Sequence, residues 1–299
     1  MPELPEVETI AVGVDARVRG RKIISVWLGS KREPFRSKPA DIVAALTDST
    51  VERVHRVGKH IVVDLTRDNE GKIRRGQWLI HLGMTGRLLV SQPDVPVPPH
   101  THAIVELNDH REIRFVDPRR FGRLSVLSLS DAAKPGEAGA QGGVSGSFIS
   151  HGFVGAGFVG TGQEPLEISL DAFRALFRGR RTPIKSALLN QSLLHGVGNI
   201  YADESLFRAG IRPRRQAAGV SAREMARLHS ALQGVLREAI ALGGSSVSDY
   251  VDADGVRGFF QLEHKVYLRG GEPCLTCKTP IRRIVLGGRG THFCPHCQR

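Results

Sequence analysis

Cysteine is absent from most of this 299-residue chain; all four lie at or beyond position 274. Disulfides of a small secreted scaffold are not distributed in this way. No run of roughly 18 apolar residues occurs, so no segment is expected to span a membrane. The first residues lack a basic stretch followed by an apolar one, which argues against secretion. Acidic residues are in deficit, with 30 Asp and Glu against 42 Lys and Arg, a net charge of +12 and a pI near 10.1. Such a field attracts polyanions, of which nucleic acid is the usual one, although a merely basic surface would look the same. The chain has 40% hydrophobic and 24% charged residues, enough apolar material for the cores of two domains.

The opening "MPELPEVETI" is acidic and proline-stiffened, at odds with the basic bulk. Behind it Val7, Ile10, Val14 and Val18 recur at helical spacing and predict an amphipathic helix over about residues 6–18. Over residues 22–127 the texture changes to short β-branched runs, "KIISVWL", "HIVVDL", "QWLIHLG", "HAIVEL" and "EIRFVD", separated by turn residues. This region reads as an all-β sandwich or barrel. Residues 129–166 are dense in glycine and read as an interdomain linker, with Phe148, Phe153 and Phe158 as residues that could dock on a neighbouring surface. From 169 to 242 four helices are expected, at "DAFRALFRG", "PIKSALLNQSLL", "NIYADESLFRAG" and "SAREMARLHSALQGVLREAIAL". The final fifty residues return to hairpins around the cysteines.

Three constellations carry chemistry. Cys274-x2-Cys277 and Cys294-x2-Cys297, sixteen residues apart, have the spacing of a four-thiolate zinc site. Four sulfurs complete the metal's coordination, so the zinc is expected to be structural. Between the pairs Arg282, Arg283 and Arg289 form a hairpin edge suited to phosphate or a plain solvated rim. Second, Arg178, Arg180, Arg181 and Lys185 precede or enter a helix, and "HGVGN" starts the next. A glycine-rich turn before a helix exposes N–H groups that favour a phosphate. Asn199 there either caps the helix or contacts a nucleic-acid backbone, and the pair of helices suggests a relative of the helix–turn–helix. Third, Met84 in "HLGMTGRLLV" and Arg119, Arg120 and Phe121 in "FVDPRRFGRL" lie at turns. Apolar side chains at such places either belong to the core or wedge between base steps.

Taken together, "PELPEVET", "GKH", "HLGMTG", "DPRRFGR", "GVGNIYADESLF" and "GRGTHFCPHCQ" resemble the formamidopyrimidine-DNA glycosylase family, bacterial enzymes that excise oxidised purines such as 8-oxoguanine. The resemblance covers nearly the whole chain except the glycine-rich stretch. It implies a multidomain α+β fold: an N-terminal β-sandwich with a leading helix, a helix–two-turn–helix domain and a C-terminal zinc-finger β-hairpin. The corresponding boundaries are 1–128, a linker or insert at 129–166, 167–262 and 263–299. It implies Pro2 as nucleophile once Met1 is removed, Glu3 as general acid and Glu6 as a supporting carboxylate. Lys59 then assists β-elimination, and Arg289 clamps phosphate and assists δ-elimination. Met84, Arg119 and Phe121 fill the gap left by a flipped base; His100, Arg119, Arg180 and Asn199 contact DNA, with Lys185 a further basic position beside them. The implied cofactor is one zinc ion. The implied partner is damaged or abasic double-stranded DNA, met in the bacterial cytoplasm by a monomer.

Three departures from the family pattern stand out. About thirty extra residues precede "TGQEPLE", which stands where the family has "LGPEPL". His60 stands where tyrosine commonly follows the lysine. The segment 245–258 occupies the place of the loop that caps the extruded base, whose contacts vary within the family. Two other readings compete with oxidised-purine repair. An endonuclease VIII-type enzyme for oxidised pyrimidines usually opens "PEGPE" and lacks the arginine–phenylalanine wedge. A silent DNA-binding zinc protein would not need Pro2, Glu3, Lys59 and Arg289 together.

Overall fold

The computed structural model describes residues 1–131, 157, 158, 160–246 and 251–299. They fall into two compact units. The first takes the described residues of Met1–Pro2, Val7–Gly160 and Asp249–Val256; the second takes those of Glu3–Glu6, Thr161–Ser248 and Arg257–Arg299.

Helix α1 runs from Leu4 to Val18 and starts two residues earlier than the apolar spacing suggests, because Pro5 is tolerated in a first helical turn. Val7, Ile10, Val14 and Val18 are all buried in the core of the first unit. That core is shared by two antiparallel four-stranded sheets. One has the order β1 (Ile23–Leu28), β6 (Thr101–Leu107), β7 (Glu112–Val116), β5 (Arg87–Ser91). The other has the order β2 (Thr50–Val57), β3 (His60–Asn69), β4 (Lys72–His81), β8 (Arg123–Asp131). The sandwich expectation therefore holds. Alternation explains β3: Ile61, Val63 and Leu65 face the shared core, whereas Val62 faces the other way, towards Leu79 and Phe158. Ile61 pairs with Ile80 and Val63 with Trp78, so each core layer is built of cross-strand apolar pairs. A short helix α2 (Pro39–Leu46) interrupts the strands; Pro39 opens it and it buries Ile42 and Leu46 four residues apart.

The second unit contains α3 (Leu170–Phe177), α4 (Ile184–Leu188), α5 (Asn199–Ala209), α6 (Ala222–Ala241) and a hairpin of β9 (Arg282–Leu286) and β10 (Arg289–Phe293). All four expected helices form, but α4 stops at Leu188, well short of the apolar run that continues to Leu194. Asn190 ends it: its side chain accepts from the Ser192 N–H at 3.0 Å, and such an Asx turn competes with helix continuation. Helix α6 is fixed by a capping box between Ser221 and Glu224 and buries Met225, Leu228, Leu232, Val235, Leu236 and Ala239. Most of the glycine-rich segment, and residues 247–250 of the capping loop, lie outside the described residues.

Candidate active site and nucleic-acid interface

The acidic start of the chain is folded inward. Glu3 and Glu6 are 5% and 2% exposed, and the Glu3 N–H donates to Glu6 Oε2 at 2.8 Å. Glu3 Oε1 accepts from the Ile200 N–H at 3.3 Å, at the N-terminus of α5. A Cβ placed on Gly198 would lie 2.1 Å from the Glu3 carboxyl carbon, so only glycine leaves room for that carboxylate. This corrects the reading of "HGVGN" as a phosphate cradle: the helix N-terminus holds the protein's own Glu3. The first turn of a helix offers N–H groups with no acceptor inside the helix, and a Glu3 oxygen accepts one of them. Glu6 also accepts from the Ser245 N–H at 2.8 Å and from the Tyr201 hydroxyl. Burial pushes its carboxyl above the ordinary range, against the lowering effect of these hydrogen bonds. Glu6 thus ties the N-terminus to α5 and to the start of the segment 245–258.

In the first unit, one buried carboxylate organises three loops. Asp117, fully buried, accepts from Thr85 Oγ1 at 2.6 Å, from the Gly122 N–H at 2.7 Å and from the Arg119 N–H at 3.3 Å. Its own N–H donates to the His100 carbonyl at 3.0 Å, and its carbonyl oxygen lies 3.0 Å from His102 Nε2. Met84, Arg119, Phe121 and His100 are therefore suspended from a single residue. Met84 and Phe121 are 41% and 46% exposed, which removes the core alternative for both. The Arg119 guanidinium lies 4.8 Å above the Phe121 ring. In the sequence Asp117 appears only as the Asp of an Asp-Pro turn; its one signal is that a second conspicuous turn, with Thr85, needs a partner for its hydroxyl.

Lys59 occupies the two-residue turn between β2 and β3, whose ends Val57 and His60 pair directly. His60 behind it packs edge-on against Phe158 and lies against His81, each at 4.9 Å between ring centroids. Phe158 is anchored further by its N–H, which donates to Gln77 Oε1 at 2.6 Å. The phenylalanine expected to dock therefore does so on the β2–β3–β4–β8 sheet; Phe148 and Phe153 lie outside the described residues.

The basic residues of the second unit divide into two groups. Arg180 is exposed, with its Nε donating to the Leu176 carbonyl at the end of α3, and Arg289 is exposed where β10 begins. Asn199 is the first residue of α5; Gly198 occupies the cap position, and the Asn199 Nδ2 donates to Gly290 O at 2.9 Å. Lys185 differs from the expectation of a basic residue open to DNA. It is 1% exposed, its ammonium 2.7 Å from Asp203 Oδ1, and it donates to Gly290 O and Thr291 Oγ1. Burial pulls the ammonium below the usual lysine range, and Asp203 opposes that pull. Beside it Glu204 accepts the consecutive N–H groups of Lys265, Val266 and Tyr267 at 2.8–3.0 Å. The sequence signal for both acids was their place inside the otherwise apolar helix "NIYADESLF".

The four cysteine sulfurs lie within 4.8 Å of one another, with Cys277–Cys294 at 3.4 Å and Cys274–Cys297 at 4.0 Å. A tetrahedral zinc with bonds of about 2.3 Å separates its sulfurs by roughly 3.8 Å, so the cluster fits that ion. Burial and then the neighbouring sulfurs raise the Cys297 thiol. A bound divalent cation relieves that crowding of like charge.

Comparisons with known proteins agree with this geometry along the chain. Family models match three segments: the formamidopyrimidine-DNA glycosylase N-terminal domain at 1–124, its H2TH domain at 161–251, and a zinc finger found in FPG and IleRS at 271–299. The formamidopyrimidine-DNA glycosylases of Solibacter usitatus and Gluconobacter oxydans are 42% and 41% identical, over all of this chain and all of each relative. The crystal structure of the MutM (FPG) protein from Thermus thermophilus superimposes with a TM-score of 0.78 at 37% identity, covering 99% of this chain and 98% of that one. A Lactococcus lactis FPG mutant in complex with a Fapy-dG-containing DNA superimposes with a TM-score of 0.82 at 30% identity over the whole of both chains. The cysteine cluster is accordingly a structural zinc site. With the family's N-terminal domain, H2TH domain and finger all matched in order, and relatives alike from end to end, the chain belongs to the formamidopyrimidine-DNA glycosylase family.

Proposed function

We propose that this protein is a DNA repair enzyme that excises oxidised purines through the amine of Pro2 and then cleaves the abasic strand. The observation that carries the mechanism is the placement of Glu3. The residue next to Pro2 in the chain holds its carboxyl buried at the start of α5, in a space that Gly198 keeps open. Removal of Met1 converts the Pro2 nitrogen from an amide to a secondary amine. An α-amine titrates near pH 8, roughly two units below lysine, so more of it is neutral at physiological pH. Its lone pair attacks C1′ of the damaged nucleotide, the bond to the base breaks, and an iminium forms as the sugar opens. Glu3 supplies the proton to the ring oxygen. Loss of the C2′ proton and then of the 3′ phosphate is β-elimination, to which Lys59 is assigned from the β2–β3 turn. Loss of the 5′ phosphate is δ-elimination, assigned to Arg289.

Met84, Arg119 and Phe121 take the space of the extruded base; their exposure and common suspension from Asp117 support that role. His100, Arg180 and Asn199 are assigned to the DNA backbone. The domain division at 1–128, 129–166, 167–262 and 263–299 is supported by family matches at 1–124, 161–251 and 271–299. The relatives are bacterial proteins, which fits the proposed place of work in the bacterial cytoplasm, where the chain is proposed to act as a monomer.

Borohydride trapping tests the reading. The protein should become covalently linked to a duplex with 8-oxoguanine opposite cytosine, and Pro2→Gly should lower trapping by at least about a hundredfold. A relative from Lactococcus lactis has been solved with an oxidised-pyrimidine-containing DNA, so that duplex is the second arm. Preferential trapping there would move the substrate class; no adduct on either duplex would sink the enzyme reading.

A further inference from the structure

A lysine next to three arginines in a DNA-binding protein is naturally assigned to phosphate, and Lys185 has that sequence context. Its surroundings are those of an internal strut. The ammonium is 1% exposed, and the three groups around it are a fully buried carboxylate, a backbone carbonyl and a hydroxyl. The carbonyl and hydroxyl belong to Gly290 and Thr291, the two residues that follow Arg289 on β10. Asp203, on α5, completes the arrangement from its other oxygen. Asp203 Oδ2 accepts the His292 N–H at 2.9 Å. Asn199 adds a second donor to the Gly290 carbonyl at 2.9 Å. Every residue from Gly290 to His292 is thus held by a side chain of α4 or α5, and Arg289 is the exposed residue at the end of that held run.

We infer that Lys185 is a positioning residue: with Asp203 it locks the start of β10 and thereby fixes where the Arg289 guanidinium is presented. The inference rests on the reading of Arg289 as the phosphate clamp that assists δ-elimination. A lysine's three protons satisfy carbonyl, hydroxyl and carboxylate together, a set that methionine of similar length cannot hold. Loss of the ammonium frees the hairpin end to shift, and displacement by about an ångström at a reacting group can cost up to about a hundredfold. Cleavage of the second strand bond should suffer most, because it is the bond-breaking step assigned to Arg289. Schiff-base formation at Pro2 should be spared.

The test is a double-mutant cycle of Lys185→Met and Arg289→Ala, read on a duplex with a preformed abasic site as the ratio of δ- to β-elimination product. Lys185→Met alone should lower that ratio by about tenfold, with borohydride trapping within about twofold of wild type. On the Arg289→Ala background it should have no further effect on the ratio or on the salt dependence of binding. A direct phosphate contact would instead give an additive loss and lower the salt slope by about one in that background. That result overturns the inference, as does an unchanged ratio in Lys185→Met. If Arg289→Ala alone leaves the ratio unchanged, the clamp reading falls first, and the cycle distinguishes the two failures. Should Lys185→Met lose its finger, the variant with Asp203→Asn added leaves no unpaired buried charge and is read identically. Amine-reactive labelling of the wild-type protein is a check without mutation. Lys185 should resist modification in free and DNA-bound protein alike; labelling in the free protein that DNA suppresses would overturn the inference.

Discussion

The two units hold their working residues by opposite means. In the first, Met84, Arg119, Phe121 and His100 sit exposed on loops, and one buried carboxylate, Asp117, joins those loops through neutral donors. In the second, ionisable groups are themselves buried: Glu3, Glu6, Lys185, Asp203 and Glu204 lie in the interior or at helix ends. The difference follows from the tasks assigned to each. A wedge must stay exposed and apolar until it replaces a base, so its scaffold has to be rigid elsewhere. A proton donor, or the groups that hold a phosphate clamp in place, gain from a dry surrounding, where each charge–dipole contact is stronger but each unpaired charge is costly.

The comparison can be broken at several points, and the largest effect is expected from zinc removal. Chelation should unfold the terminal hairpin, since a structural zinc site contributes on the order of 10 kcal/mol to such a fold. The presentation of Arg289 would go with it. DNA binding measured after chelation should fall by orders of magnitude and return with zinc; full activity of metal-free protein contradicts the structural assignment. Glu3→Gln comes next. Loss of a general acid costs about 10²–10⁴ in rate, so excision of 8-oxoguanine should fall by that factor. Cleavage of a preformed abasic site should fall much less, because its sugar already opens without protonation by the enzyme. Equal losses on both substrates would remove Glu3 from the ring-opening step.

Asp117→Ala tests the first unit's way of organising its loops. It leaves the N–H groups of Arg119 and Gly122 and the Thr85 hydroxyl without their acceptor, at a cost of about 1–3 kcal/mol. The expected outcome is a fall of roughly ten- to a hundredfold in kcat/KM on the duplex lesion. A single-stranded lesion, which needs no gap filled, should be affected less. The smallest effect concerns the cap of α6. Glu224 is held near pKa 2 by hydrogen bonds from Arg215, with the Ser221 cap adding to the shift. Its carboxylate is more acidic in the folded chain than the ordinary value of about 4.3. The stability it adds is therefore present above about pH 5 and lost as pH falls towards 2. Glu224→Gln should lower denaturant stability by roughly 1 kcal/mol at neutral pH. The gap to wild type should close on acidification, and a constant gap would exclude the charge as its cause.

Much of this molecule is legible from residue order. The apolar spacing of α1, the alternation of the strands and the cysteine spacing all express local rules that tertiary packing did not override. The failures have a common physical origin. The glycines of "HGVGN" do open a helix N-terminus, but which anion fills it depends on Glu3, almost two hundred residues away in sequence. Lys185 has the neighbours of a surface cation; only the fold reveals that Asp203 and Thr291 enclose it. Helix α4 ends at Leu188 because a side-chain turn at Asn190 outcompetes an apolar pattern that still looks helical. Asp117 was hidden because its partners come from three separate loops.

One modest contact has a consequence for the chain's length. Strand β8 ends against β4, where Asp131 pairs with Arg74, and Phe158 is seated on the same sheet beside His60. Both ends of the intervening stretch are thus moored on the sandwich, and Gln163 already donates to the Leu193 carbonyl in the second unit. The chain is thus back on the sandwich at Phe158 before it passes into the second unit after Gly160. Between two points anchored on the same sheet, added chain length costs only about 0.6 kcal/mol of closure entropy per doubling. A peptide tag or a small folded domain spliced between those two anchor points should therefore cost the sandwich little stability.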